Sequence, residues 1–271
     1  MNGVRIAVIG GTGKIGSALI DGWLHAGLVQ PDGVIGTGRH EGSLARLRDR
    51  GIHATTDNAG AVRDAQVVVI AVHPDETSEV FEQFRPQLRD DHLLISIVTG
   101  IRTNVLEELA GRAAAVIRAN PNIAVLVAQS ATVLCRGRFA TEEQLELARG
   151  LFRAVGLVEV LDERHMNAST GLGGCGPAFV FKIIEAMAEG GVKMNLPRDV
   201  SRRVAAQVVK GAAELILTTG RHPAEFKDEV TTPGGCTIDG IAKLQERGIT
   251  IALIDAVETS TRKAGMLFGE E

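Results

Sequence analysis

The sequence predicts an α/β N-terminal half followed by an all-helical C-terminal half, and three observations support this division. Short β-branched runs alternate with helix-length amphipathic pieces over residues 1–162. A glycine-rich turn joins the first of these strands to the first helix. From residue 163 to residue 271 long helical periodicities replace the alternation.

The elements follow in order. Residues 5–9 form a β-branched run ending in glycines, after which Ile15, Ala18, Leu19, Gly22, Trp23 and Ala26 recur at helical spacing until Gly27 stops the helix. Val34, Ile35, Gly36 and Thr37 make a second strand. Leu44, Leu47 and Arg48 belong to a short amphipathic helix closed by Gly51, and residues 52–55 make a short third strand. Residues 67–72 (VVVIAV) and 93–98 (LLISIV) are continuous apolar runs, as expected of parallel strands covered on both faces. Further strands are expected at 114–117 and 131–134, then a helix capped by Thr141 with Glu142 and Glu143 in its first turn. Residues 157–161 close the series. In the C-terminal half, residues 179–190 and 198–218 read as long helices. Val204, Ala205, Val208, Val209, Ala212, Ala213, Leu215 and Ile216 give the second an apolar surface so wide that a second subunit is expected to cover it.

Composition narrows the function. Hydrophobic residues make up 45% and charged residues 23% of 271, the range of a globular chain with a sizeable core. Lys+Arg 29 against Asp+Glu 33 gives a net charge of −4 without long like-charge runs, so the electrostatic footprint of a nucleic-acid binder is missing. No membrane partner is expected either. The N-terminal residues lack the pattern of a secretory signal, and a cytoplasmic location follows as the expectation. Cys135, Cys175 and Cys236 are far apart and without metal-ligand spacing, so neither a disulfide framework nor a metal site is expected. Tyr is absent, which excludes a phenolic proton donor.

Gly11-Thr12-Gly13-Lys14-Ile15-Gly16 opens the first helix directly after the first strand, a G-x-G-x-x-G in the context that dinucleotide binding requires. Glycines allow close backbone approach, and the helix N-terminus meets a pyrophosphate. The motif in this context points to dinucleotide binding; the plain alternative is an ordinary tight turn. The end of the second strand selects the cofactor. NAD sites place Asp or Glu there, whereas this chain has Thr37-Gly38-Arg39-His40. Arg39 suits a 2′-phosphate, so NADPH is favoured, with NADH as the alternative; the plain alternative for Arg39 is a solvated loop cation. The fourth and fifth strands end in Ala71-Val72-His73-Pro74 and Ile97-Val98-Thr99, where ligands lie in open parallel sheets. His73 either donates a proton or only borders the nucleotide.

In the stretch KDEVTTPGGCT, residues 227–237, Thr232 and Pro233 read as N-cap and first helical position. Gly234 and Gly235 at that helix mouth fit a carboxylate approaching free N–H groups, with the Thr237 hydroxyl near the ligand's reacting end. They equally fit a capped helix packed closely on a neighbour. The small-residue stretch TGLGGCGPAF, residues 170–179, suggests close backbone packing or a pocket wall.

Together these stretches resemble the pyrroline-5-carboxylate reductase family, whose members reduce a cyclic imine acid to proline with NAD(P)H. DEVTTPGGCTIDGI is similar to the family's D-x-V-x-S/T-P-G-G-x-T signature and TGLGGCGPAF to its TGLSGSGPAY. AVHP is similar to AVKP, and the run at residues 185–199 (EAMAEGGVKMNLPRD) adds to the match. The resemblance implies a Rossmann domain over residues 1–162 and an all-helical substrate-binding and dimerisation domain over 163–271, in a homodimer or a decamer of five dimers. It implies nucleotide contacts at Gly11, Thr12, Gly13, Lys14, Ile15, Arg39, Asn58, Ala71, Val72, His73, Pro74, Ile97, Val98 and Thr99. Substrate contacts are implied at Glu163, Glu229, Val230, Gly234, Gly235 and Thr237, with Thr237 catalytic through a hydrogen bond to the ring nitrogen. Departures fall at pocket-wall positions: His73, Asn120, Ile123, Ala124, Gly173, Cys175, Phe179 and Glu229. The alternatives are an imine reductase for another cyclic imine acid and a non-catalytic NADP(H)-sensing paralogue. Thr237 and the glycine pair argue against the sensor. A hydroxyacid dehydrogenase would need a catalytic Lys or His/Arg context that the helical half lacks.

Overall fold

A computed structural model of the chain describes residues 3–267. The chain forms two compact units. Residues 176–259 make the second, and the residues before and after them the first.

The first unit is built on an eight-stranded sheet in the order β3-β2-β1-β4-β5-β6-β7-β8. Its strands are β1 Ile6–Ile9, β2 Val34–Thr37, β3 His53–Thr55, β4 Val67–Ile70, β5 Leu93–Ser96, β6 Ala115–Asn120, β7 Ser130–Arg136 and β8 Gly156–Val160. The first six run parallel in the doubly wound 3-2-1-4-5-6 order. β7 runs antiparallel to β6 and β8 parallel to β7, extending the sheet by a reversed pair.

The continuous apolar strands divide their side chains between two cores. Ile6, Val8, Val67, Val69, Leu93 and Ile95 face one side; Ala7, Ile9, Val68, Ile70 and Leu94 face the other. The first core is covered by α1 Lys14–His25, the short α2 Ala45–Arg48 and, across the chain's later crossover, α6 Glu142–Arg153. Trp23 of α1 is fully buried there and donates its Nε1 proton to the Leu151 carbonyl at 2.9 Å. The second core is covered by α3 Asn58–Arg63, α4 Thr77–Phe84 and α5 Thr103–Ala110. Thr141 caps α6 as expected, accepting from the Gln144 N–H while the Gln144 side chain accepts from the Thr141 N–H.

After β8 a short helix, α7 Met166–Ser169, runs into a π-helical turn, Thr170–Gly174. Asn120 donates to the hydroxyls of Ser169 and Thr170, both at 3.2 Å, and Asn122 to the Gly173 carbonyl at 3.0 Å. The small-residue stretch is therefore held from β6 and the loop after it by buried amides.

The second unit holds α8 Gly176–Lys193, α9 Arg198–Thr219, α10 Pro223–Glu229 and α11 Cys236–Glu246, and α12 Ile249–Leu267 begins in it. α8 and α9 pack where Gly191 meets Ser201: a Cβ on Gly191 would lie 2.8 Å from the Ser201 hydroxyl. Only Ser201 and Ala205 of α9 are buried, while Val204, Val208, Leu215 and Leu217 are exposed. Within the helical run Glu163–Lys193 an 18-residue window reaches a mean hydropathy of 1.2, long and apolar enough by composition to cross a membrane. Its exposed Val180, Phe181 and Met187 continue the same uncovered apolar surface.

One buried titratable group makes the first unit sensitive to pH. His92, 2% exposed, accepts the Arg89 N–H at Nδ1 (2.9 Å), so Nε2 carries the proton donated to the Ala65 carbonyl at 3.0 Å. Burial, reinforced by the Arg89 charge, holds the imidazole below its ordinary value. The unfolded chain therefore binds a proton that the folded chain refuses. Stability falls with acidification from about pH 6.5 down to the folded value and is unaffected by this group above it. Thermal melts at about pH 7.5 and about pH 5.5 should show wild type losing more Tm than His92→Gln across that interval.

Candidate active site

The turn after β1 is shaped by contacts that exclude side chains. Gly10 adopts φ +82, and a Cβ there would sit 2.4 Å from the Ala71 carbonyl oxygen. A Cβ on Gly16 would fall 2.8 Å from the Gly10 carbonyl oxygen, and one on Gly13 3.1 Å from it. The turn is tied to β2 by Gly10 N–H to Thr37 Oγ1 (3.2 Å) and Thr12 N–H to the Thr37 carbonyl (3.2 Å). Gly13 is the N-cap of α1. It has no capping side chain, and the first turn holds no acidic residue but begins with Lys14. The amides at this helix mouth and the aligned peptide dipoles thus suit an anionic group.

Around the mouth the ends of neighbouring strands converge. Ala71 N–H donates to the Ile9 carbonyl (2.8 Å) and Ile97 N–H to the Ile70 carbonyl (3.0 Å), which sets residues 71–74 and 97–99 beyond the carboxyl ends of β4 and β5. Gly10, Arg39, Asn58, Val72 and Glu76 line one cleft of about 380 Å³. Asn58 donates to Gln83 at 2.6 Å, and Asp57 caps the helix that Asn58 begins. His73 is exposed and faces Asp75, Nδ1 to Oδ2 3.3 Å. The cleft, the side-chain-free turn and the cationic Arg39 fit a nicotinamide dinucleotide. Sequence reasoning missed Gly10, although a second glycine after the apolar run was a visible signal. It also missed Glu76, which carries no motif.

Glu163 follows β8 in the first unit, where its carboxylate has protein partners. It accepts from the Thr103 backbone N–H at 2.9 Å and from the Thr103 hydroxyl, capping α5, and pairs with Arg118 Nη1 at 3.2 Å. Arg118 is 4% exposed. Nearby Cys135 is pushed up to about 12, chiefly by burial and then by the Glu163 charge, so its thiol is inert.

The other implied substrate contacts lie in the second unit. α11 begins later than expected: its N-cap is Gly235 and its first residue Cys236, while Thr232 and Pro233 lie in the preceding turn. The physical reason is the turn itself. Gly234 takes φ +69, which interrupts a helix started at Pro233, and Gly235 N–H closes back on the Thr232 carbonyl at 3.0 Å. A Cβ on Gly235 would meet the Thr232 hydroxyl at 2.5 Å. Turn geometry therefore favours glycine at 234 through its left-handed φ and a small residue at 235 beside Thr232, and it leaves the mouth of α11 without a capping side chain. Thr237 stands at the second helical position, half-buried, and Val230 is exposed. Glu229 is engaged by Arg221, Nη2 to Oε1 2.5 Å, and that guanidinium also binds Glu225 at 2.9 Å and lies over the Phe226 ring. Among the described residues no group of three or more His, Cys, Asp or Glu could hold a metal ion.

A doubly wound sheet in this order, a glycine turn feeding an uncapped helix, and a cleft beside it that holds Arg39 define an NAD(P)-dependent oxidoreductase. Comparison with known proteins narrows the class. Residues 163–267 match the family model described as pyrroline-5-carboxylate reductase dimerisation, and residues 5–100 match one described as NADP oxidoreductase, coenzyme F420-dependent. The chain is 40% identical to the pyrroline-5-carboxylate reductase of Methanosarcina acetivorans over 97% of its length and 98% of that protein. It is 35% identical to that of Pisum sativum over 94% and 93%. Among solved structures, the pyrroline-5-carboxylate reductase of Coxiella burnetii superposes with a TM-score of 0.92 at 30% identity, covering 98% of this chain and 99% of that one. The Plasmodium falciparum pyrroline carboxylate reductase with NADP bound superposes with a TM-score of 0.89 at 26% identity, covering 99% and 100%. The chain belongs to the pyrroline-5-carboxylate reductase family.

The Glu163 junction has a measurable consequence. Glu163→Ala leaves Arg118 buried without its carboxylate, a loss of about 3 kcal/mol, and lowers Tm by roughly 6–12 °C. Replacing both partners, Arg118→Met with Glu163→Leu, should recover most of the loss in the same melts.

Proposed function

We propose that this enzyme reduces 1-pyrroline-5-carboxylate to L-proline with NADPH, the last step of proline biosynthesis. The observation that carries the reading is the uncapped mouth of α11, where the turn at Gly234 and Gly235 leaves amides open and Thr237 stands in the first helical turn. A carboxylate gains those N–H donors and the helix dipole. The Thr237 hydroxyl hydrogen-bonds the ring nitrogen, and Glu163, Glu229 and Val230 border the substrate.

The mouth of α1, from Gly11 through Thr12, Gly13 and Lys14 to Ile15, holds the cofactor's pyrophosphate, and Arg39 its 2′-phosphate. Asn58, residues 71–74 and residues 97–99 border the rest of the nucleotide. When bound, NADPH supplies the hydride. A protonated cyclic imine is already electrophilic, and its nitrogen keeps its proton as the carbon is reduced, so the chain needs no strong acid. That suits a protein without tyrosine. Its contribution is to fix the two reactants against each other.

The family's dimerisation region and the exposed apolar helices of the second unit support a homodimer, which we extend to a decamer of five dimers, located in the cytoplasm. The domain division we adopt is residues 1–162 for the nucleotide and 163–271 for substrate and dimerisation. A second reading, reduction of a related imine acid, is favoured by Asn120: at this departure from the family's pattern the chain has a buried amide bonded to Ser169 and Thr170.

One assay decides between them. NADPH oxidation is followed with pyrroline-5-carboxylate, with its six-membered homologue and with simple 2-oxo acids. The five-membered substrate should turn over fastest, and Thr237→Ala should lower kcat on it by roughly 10–100-fold. Faster turnover of the six-membered ring would transfer the assignment to that substrate. Absence of turnover with all, despite NADPH binding, would mark a sensor.

A further inference from the structure

NAD-using Rossmann folds carry a carboxylate at the end of the second strand, where it bonds the ribose 2′-hydroxyl. Thr37-Gly38-Arg39-His40 offers none. The fold supplies one to the same place from another element. Glu76, in the turn between β4 and α4, sets Oε1 2.5 Å from Arg39 Nη1, and both residues line the cleft shared with Gly10 and Asn58.

The two partners are unequally held. The Arg39 side chain is 78% exposed on its loop, whereas that of Glu76 is 30% exposed and its second oxygen faces the His73 N–H at 3.4 Å. The neighbouring acid, Asp75, faces His73 instead. Glu76 is thus the carboxylate that shares Arg39 with any group arriving there. A 2′-phosphate, which carries close to two negative charges, meets a like charge at the guanidinium that should welcome it. A ribose hydroxyl meets an acceptor.

We propose that Glu76 is a specificity-determining residue: it competes with a 2′-phosphate for Arg39, offers an acceptor to a 2′-hydroxyl, and so restrains the preference for NADPH and keeps NADH usable. The proposal rests on the dinucleotide reading of the cleft given above.

Calorimetric titration of the full chain with 2′,5′-ADP and with 5′-AMP tests it without turnover. Glu76→Gln keeps an acceptor facing the His73 N–H and removes the charge. It should tighten 2′,5′-ADP about five- to tenfold and leave 5′-AMP within about twofold. Glu76→Ala should tighten 2′,5′-ADP likewise, and the gain should vanish when Arg39→Gln is added to Glu76→Gln. Unchanged 2′,5′-ADP affinity in both single variants, or equal tightening of both nucleotides, would overturn the proposal. Failure of the wild type to bind either nucleotide would instead bring down the dinucleotide reading, and the proposal with it.

Discussion

The structure depends on a turn that has no room for side chains. Between β1 and α1 the Gly10 carbonyl lies against the α-carbons of Gly13 and Gly16, and the α-carbon of Gly10 lies against the Ala71 carbonyl. These approaches bring β1, β4 and the start of α1 within backbone contact. They aim an uncapped helix mouth over the carboxyl edge of the sheet, at the point where strand order departs in both directions from β1. Arg39 after β2, residues 71–74 after β4 and residues 97–99 after β5 then fall around one opening. A cleft suited to a dinucleotide follows from packing before any side chain is chosen to bind it.

The second unit repeats the device. Gly234, left-handed at φ +69, and Gly235, close against Thr232, fold a tight turn, and the result is again a helix, α11, that begins without a capping side chain. Its remaining surface is apolar and exposed along α8 and α9, the composition of a core that one chain does not close. Such exposure, which takes in the apolar window within residues 163–193, lies in the region that matches a family model described by dimerisation.

Much of this was legible in the sequence because it rests on local chemistry. The strands at Val67–Ile70 and Leu93–Ser96 were plain from apolar continuity, and Thr141 as a cap from the acidic Glu142 and Glu143 that follow it. What escaped depends on non-local geometry. The reversed direction of β7 leaves no local mark, since an apolar run reads the same either way. Thr232 and Pro233 carry a helix-start signal that the left-handed Gly234 overrides. The resemblance implies Glu163 and Glu229 only as substrate contacts, and nothing local shows that Arg118, 45 positions from Glu163, and Arg221 engage their carboxylates. Glu76 meets Arg39 across 37 positions, and nothing nearby in the chain announces it.

The measurement that bears most directly on the account is NADPH affinity in Gly13→Ala. Position 13 has φ −70, which any residue adopts, and a Cβ there would lie 3.1 Å from the Gly10 carbonyl oxygen, the mildest of the turn's close approaches, so a shift of a few tenths of an ångström seats the methyl group. The helix loses at most about 1 kcal/mol of capping, roughly 2–4 °C in Tm. If the turn seats the pyrophosphate, the Kd for NADPH rises by at least about tenfold, because the methyl group blocks approach to the helix mouth. An unchanged Kd in a folded variant would show that these glycines serve packing alone, and would contradict the account.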